Sequence, residues 1–308
     1  MGIALELSPA ELSSLIDGAE YRQRLRCHPD ERVREIFRYG RHVGSRIDCY
    51  ENLDRGMDLA RQQIADSERQ GNSFPSGAAI LAATLNKGKG RFDRSWHAPG
   101  GGLWLTLVLA NTLLPRYTSF LPMAAGVSCC EALHDIGVAA RLKWVNDLHV
   151  GSRKIAGILV ESYRSPLLAE EFVLAGIGVN VNNRSFPDDI AAASVSVSSI
   201  LGHDISLKHF ALSLLAKLVW NIGLLHYEEA VDLETGGDEP PCCLLLQSWK
   251  ALSDTVGKRV LYGFDVRKNP QYEAVVLDID CNGCLVMRLP GAAAVVREQS
   301  GEIIYLDP

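Results

Sequence analysis

Two apolar runs, AAILAATL at residues 78–85 and LWLTLVLA at residues 103–110, bracket the stretch NKGKGRFDRSWHAPGGG. Each run has the length and texture of a buried strand, the second with leucine at every other position. Between them, residues 85–102 hold five glycines, two lysines, two arginines and a tryptophan. A connection of this kind between two buried strands is either a solvated basic turn or a clamp for an anionic ligand. Gly88 and Gly90 let the backbone approach a ligand closely. Lys89, Arg91 and Arg94 can supply charge and donors to carboxylate or phosphate oxygens. Trp96 offers a flat face that can cover an adenine or close an apolar pocket.

The rest of the chain reads as alternating helices and strands followed by a β-rich tail. Ser8-Pro9-Ala10-Glu11 is a capping box opening a short helix, and a polar helix is expected over 29–38. Leu53, Met57, Ala60 and Ile64 recur at helical spacing, and Gly71 stops that helix. Residues 121–137 read as an apolar helix and ARLKWVND (140–147) as a strand. LHVGSRKIAGILVESY reads as a hairpin turning at Gly151-Ser152, FVLAGIGVNVN as a further strand, and 206–229 as a long amphipathic helix. DLETGGDEPP (232–241) is acidic and rich in Gly and Pro, so it reads as a turn or linker. From Thr255 onward five short strands suggest a small antiparallel barrel. The expected architecture is α+β, a mixed sheet flanked by helices. Its expected parts are a short helical extension at 1–40, a main domain at 41–250 and a small β domain at 251–308.

Several function classes lose support on composition and motifs. The net charge of −6 argues against a global nucleic-acid binder and makes the basic 87–94 cluster a local feature. There is no G-x-x-x-x-G-K-[ST], and GIGVNV (176–181) lacks the third glycine of a dinucleotide fingerprint. Neither G-x-S-x-G nor H-E-x-x-H is present. Eight cysteines occur, at 27, 49, 129, 130, 242, 243, 281 and 284. The CxxC at 281–284 encloses Asn282-Gly283, a hairpin signal, and no second pair completes a zinc set. His134, His203, His209 and His226 lack partners at ligand spacing. No metal site is expected from the protein's own residues. No uninterrupted apolar run spans a bilayer, no signal peptide is seen at the N-terminus, and free thiols suit a reducing, cytoplasmic setting.

Lys143 lies between Leu142 and Trp144 in an otherwise apolar strand. Such a lysine either snorkels from a sheet edge or is held to bridge anions. Lys154 reads as a residue just beyond the hairpin turn. Asp147 either orients an amine or a metal-bound water, or caps the following turn.

Taken in order, GKGRFDRSWHAPGGGLWLTL, KWVNDLHVGSRKIAGILVE and GIGVNVN resemble the biotin protein ligase family. The family patterns are G-R-G-R-x-G-R-x-W-x-S-P-x-G-G, then K-W-P-N-D with a hairpin and G-I-L-x-E, then G-[IL]-G-[IV]-N. The resemblance runs from about residue 38 to the end and includes SWKALSDTVGKRV and the late SGEI. It implies a class II synthetase-like biotin/lipoate ligase fold with a small C-terminal SH3-like barrel. It implies an enzyme that activates biotin with ATP and Mg²⁺ as biotinyl-5′-AMP, then transfers it to a lysine of a biotin carboxyl carrier protein.

By the same resemblance, Lys143 contacts the biotin carboxylate and the α-phosphate. Arg91 and Arg94 hold phosphate oxygens, Trp96 packs on the adenine side, and Asn180 contacts the nucleotide. Gly88, Lys89, Gly90, Trp144, Gly157 and Ile158 wall the biotin, and DCYEN (48–52) places Cys49 and Tyr50 at the ring end. Homodimers are common in the family. The roughly forty residues before the ligase-like region are too few for a winged helix, so sequence-specific DNA binding is not expected, nor is a membrane partner.

The match departs from the pattern at the acid-binding end. The family's glutamine falls on Leu85, a loop glycine is Asp93, the second loop position is Lys89, and Cys49 and Tyr50 replace the Ser and Thr of the D-S-T-N stretch. These departures leave three alternatives: a biotin ligase with an altered pocket, a lipoate or medium-chain acid ligase of the same adenylate-forming kind, or a ligand-binding paralogue without turnover.

Overall fold

A computed structural model of the chain describes residues 5–236, 243–291 and 294–306, with the side chains of Asp93 and Cys243 outside that set. In chain order, its principal elements begin with α1 (Pro9–Leu15), α2 (Asp30–Gly40), β1 (Ile47–Leu53), α3 (Gly56–Arg69), β2 (Ala78–Leu85) and β3 (Leu103–Ala110). Then come α4 (Leu121–Asp135), β4 (Arg141–Lys143), β5 (Asp147–Val150), β6 (Arg153–Arg164), β7 (Glu171–Val179), α5 (Leu207–Thr235) and α6 (Cys243–Leu252). The last five are β8 (Arg259–Gly263), β9 (Tyr272–Ile279), β10 (Leu285–Arg288), β11 (Val295–Glu298) and β12 (Glu302–Tyr305).

Seven strands form one mixed sheet in the order β1-β2-β3-β7-β6-β5-β4. Only the β1–β2 pair is parallel. The apolar run of β2 is continuous because both faces are covered. Ala79 and Leu81 enter the large core shared with α4 and α5, while Ala78 and Ile80 pack with Met57, Ala60 and Ile64 of α3. The five C-terminal strands form an antiparallel sheet in the order β11-β10-β9-β8-β12. Its Val260, Ala274, Ile279 and Leu285 belong to the same large core as the main sheet, so the two sheets share one apolar interior.

Three elements differ from expectation. Leu53 does not start a helix; it ends edge strand β1, and α3 begins at Gly56. The strand expected over 140–147 is broken: β4 stops at Lys143 and Asp147 opens β5. The helix expected to be amphipathic is buried almost all round, since α5 lies between α2 and α4. By length and composition α5 could cross a membrane, but 83% of its apolar window is buried within the protein. The turn or linker expected over 232–241 begins later than expected: residues 232–235 are the last turn of α5, which Gly236, in the left-handed region at φ 84°, ends, and 237–241 lie outside the described residues. The CxxC reading as a turn holds: Asp280 Oδ1 accepts from the N–H groups of Asn282 (2.9 Å) and Cys284 (3.0 Å).

The N-terminal segment is fastened to α5 by glycine contacts and by charge. A Cβ on Gly40 would sit 1.8 Å from Val219 O, and one on Gly223 would sit 2.2 Å from Ile36 O. Only two glycines allow this helix crossing. Gly223→Ala is therefore expected to part α2 from α5 and cost at least about 1–3 kcal/mol, read from the urea midpoint. Beside this crossing, the fully buried Lys217 pairs with Glu20 (2.7 Å) and Asp135 (2.9 Å). It also donates to Gln23 Oε1 at 2.8 Å.

Candidate active site

A cleft of about 260 Å³ opens on the α3 face of the main sheet, and its wall shares Met57, Ile80 and Leu159 with the smaller apolar cluster. Its floor is made of glycines. Gly157 of β6 and Gly178 of β7 face each other across the ladder. A Cβ on Gly157 would lie 3.0 Å from Trp96 Cζ3, and one on Gly178 would lie 2.8 Å from Trp96 Nε1. The pair thus forms a flat tile on which the indole lies. Trp96 Nε1 is buried without a hydrogen-bond partner.

Lys154 stands beside this indole, its Nζ 5.2 Å from the ring centroid and 2.6 Å from Asp147 Oδ1. Strict alternation along β6 would put Lys154 on the face opposite Gly157, three residues away. The β5–β6 register shifts between Leu148 and His149, and this bulge returns Lys154 to the cleft face. Burial opposes ionisation of Asp147, but Lys154 and Lys143 outweigh it and hold its carboxyl below the ordinary range. Asn146 donates to Ile158 O, and the buried Asn180 closes the same end.

The basic loop forms a tight hairpin over this end, with Trp96 N–H donating to Gly88 O at 2.8 Å and Gly90 N–H to Arg94 O at 2.7 Å. Its tip is pinned to the C-terminal sheet. Arg91 donates to Gly301 O at 2.7 Å, and Arg94 holds Glu302 through two 2.8 Å contacts and also reaches Asp265. Phe92 packs edge-on against Phe264, ring centroids 5.2 Å apart. Both arginines line the cleft and both are engaged by acceptors of the second sheet.

The structure brings Leu85, Gly88, Lys89, Gly90, Arg91, Arg94, Trp96, Gly157, Ile158 and Asn180 to this one cleft. Four other expected residues lie elsewhere. Cys49 is exposed on edge strand β1, and Tyr50 accepts from Gln63 Nε2 at 3.1 Å. Trp144 is in the core and donates to Gly283 O at 3.2 Å. Lys143 ends β4 with its Nζ 4.9 Å from the Tyr305 ring centroid. Burial lowers its pKa, partly opposed by Asp147 and Glu302. Lys89 and Lys154 are the lysines among the lining residues, while Lys143 interacts through charge with Asp147, Lys154, Glu302 and Arg267 of that lining. Sequence reasoning also passed over Arg55, Met57, Thr106, Asn146, Arg267 and Glu302, all of which line it. Where DCYEN was expected to close the acid end, Leu53, Arg55, Gly56 and Met57 do so instead. With the helix starting at Gly56, the cleft contact falls at residues 53–57, downstream of Cys49 and Tyr50.

A family model described as the biotin/lipoate A/B protein ligase family matches residues 59–182. The chain is 32% identical over 155 residues to the bifunctional ligase/repressor BirA of Bacillus subtilis, covering 48% of this chain and 46% of that protein. It is 30% identical over 248 residues to the biotin–[acetyl-CoA-carboxylase] ligase of Paracoccus denitrificans, covering 77% of this chain and 96% of that protein. The chain thus spans about half the length of the first relative and nearly all of the second. The biotin protein ligase from Aquifex aeolicus in complex with biotin and ATP shares its fold, with a TM-score of 0.63 at 20% identity over 84% of this chain and 97% of that one. The order of motifs, the glycine-floored cleft beneath a basic loop and the match along nearly the whole of the Paracoccus protein lead to one conclusion: the chain belongs to the biotin/lipoate A/B protein ligase family.

Proposed function

We propose that this cleft activates biotin with ATP as biotinyl-5′-adenylate and then passes the biotinyl group to a lysine of a biotin carboxyl carrier protein. The observation that carries the reading is Lys154. Its ammonium stands on the glycine floor, fixed by Asp147, directly under the loop that holds Arg91, Arg94 and Trp96.

In the first step a biotin carboxylate oxygen attacks the α-phosphorus of ATP. The bond from that phosphorus to the bridging oxygen breaks, and pyrophosphate leaves with the electron pair. Negative charge gathers between carboxylate and phosphate, and a fixed cation there stabilises it. Lys154 bridges the two anions. Arg91 and Arg94 exchange Gly301 O, Glu302 and Asp265 for phosphate oxygens, so nucleotide binding is coupled to release of the loop from the second sheet. Trp96 covers the adenylate and keeps water from the mixed anhydride, and Asn180 contacts the nucleotide. In the second step the neutral amine of the carrier lysine attacks the biotinyl carbonyl carbon. The bond to AMP breaks, AMP leaves, and the amine sheds a proton.

Mg²⁺ would enter with the nucleotide. The cleft carboxylates Asp147 and Glu302 are already paired with Lys154 and Arg94, which suits a cation held chiefly by phosphate oxygens.

Incubation of the protein with ATP, Mg²⁺ and single acids, following pyrophosphate release and label on a carrier domain, tests the reading. Biotin-dependent release and carrier labelling are expected. Turnover with lipoate or octanoate but not biotin, or with no acid at all, would overturn it.

A further inference from the structure

The cleft follows β6 from Gly157 to Leu159, and Glu161 lies two residues beyond, on the same face of the strand as these two. Lys154 and Asp147 mark one end. At the other end the walls are apolar, formed by Leu53, Met57, Leu85 and Leu159. One charged side chain breaks this surface. Arg55 lines the cleft, its side chain is only 13% exposed, and it pairs with Glu161 at 2.5 Å and Asp58 at 3.3 Å. A guanidinium in such surroundings is costly to bury unless paired. Pairing explains why it is tolerated there but not why it faces the cavity.

We propose that Arg55 is the specificity-determining residue for the tail of the acid. It donates a hydrogen bond to a neutral acceptor at the tail's far end, so an acid ending in a carbonyl or cyclic ureido group is taken in preference to a saturated chain. The inference rests on the adenylate-forming reading of the cleft. Three features support it. A guanidinium carries five N–H donors. The contacts of Arg55 use Nη1 for Asp58 and Nη2 for Glu161 and Met57 Sδ, and among the described residues Nε–H has no acceptor. Arg55 is held in place, because Glu161 also grips Arg61, which pairs in turn with Asp58. Two arginines and two carboxylates cancel, so the cluster offers a directed donor without net charge. That favours a neutral oxygen over a second carboxylate. Leu85, on the same wall, has no hydrogen-bonding group, so Arg55 supplies a polar contact that Leu85 cannot.

The test uses the full chain with Arg55→Met and Arg55→Lys, comparing biotin with octanoate in the pyrophosphate assay. Arg55→Met is expected to raise the KM for biotin about tenfold or more, as for loss of a hydrogen bond from a charged donor. Its kcat should stay within about threefold and octanoate activation within about twofold, since neither depends on that donor. Arg55→Lys should recover part of the loss. An unchanged biotin-to-octanoate ratio of kcat/KM in both variants overturns the proposal, as does a wild-type preference for octanoate or for a dicarboxylate. Calorimetric biotin binding needs no turnover and separates this inference from the reading of the reaction. Weaker biotin binding by Arg55→Met in a chain that forms no adenylate would sustain Arg55 and sink the reaction, whereas equal binding would sink Arg55.

Discussion

Lys154→Ala is expected to slow formation of the acyl-adenylate by about a hundred- to a thousandfold, the usual cost of removing a fixed charge-stabilising donor from a reacting centre. Lys143→Ala should slow it far less. The contrast follows from placement: Lys154 lines the cleft and contacts Asp147 at 2.6 Å, while the Lys143 ammonium lies 4.9 Å from the Tyr305 ring centroid and Lys143 is not among the lining residues. In this structure the charge of Lys143 helps to hold the Asp147 carboxyl ionised. Single-turnover rates at saturating ATP and biotin, measured by rapid quench, give both numbers without interference from product release. Equal losses in the two variants would mean that both lysines reach the reacting atoms.

The second large effect concerns stability. Glu20→Ala is expected to cost about 3–5 kcal/mol, because it leaves the fully buried ammonium of Lys217 short of a partner. Asp135 at 2.9 Å and Gln23 at 2.8 Å would remain, and Arg24 would lose its 2.7 Å contact with Glu20. Replacing both members, Glu20→Met with Lys217→Met, should recover most of the loss, since an apolar pair of similar volume removes the buried ammonium with its partner while Arg24 keeps Glu131 at 2.7 Å. Urea denaturation of the two variants reads the difference. The result bears on the N-terminal segment, whose role composition alone leaves open. Through Glu20, Gln23, Arg24 and the Gly40–Gly223 crossing it is built into the body of the protein.

Much of the fold was legible because local pattern and tertiary environment agree. The runs 78–85 and 103–110 are strands buried on both faces, the turn at Gly151-Ser152 joins β5 to β6, and the five C-terminal strands fall where short alternating segments occur. Edge strand β1 was missed because IDCYENL is polar and only partly buried, so nothing in it resembles a core strand. The long helix α5 was read as amphipathic because sequence does not show that α2 and α4 cover its remaining faces.

The site was legible in outline through the basic loop and the glycine pair. That Lys154 also faces the cleft was not. A one-residue bulge decides which face Lys154 occupies, and no spacing rule reveals a bulge. The partners of Arg91 and Arg94 lie about 170 to 210 positions away, at Asp265, Gly301 and Glu302, beyond the reach of any local motif. Arg55 was hidden by the helix boundary: with the helix drawn from Leu53, it is one more polar residue on a solvated turn.

One measurement bears most directly on the central claim. The purified chain is mixed with biotin, Mg²⁺ and ATP labelled at the α-phosphate, with no carrier present, and the quenched products are separated. The cleft described here predicts labelled biotinyl-5′-AMP stoichiometric with the protein, appearing with pyrophosphate and forming about a hundred- to a thousandfold more slowly in Lys154→Ala. Intact ATP, or hydrolysis to AMP that does not depend on biotin, would contradict it.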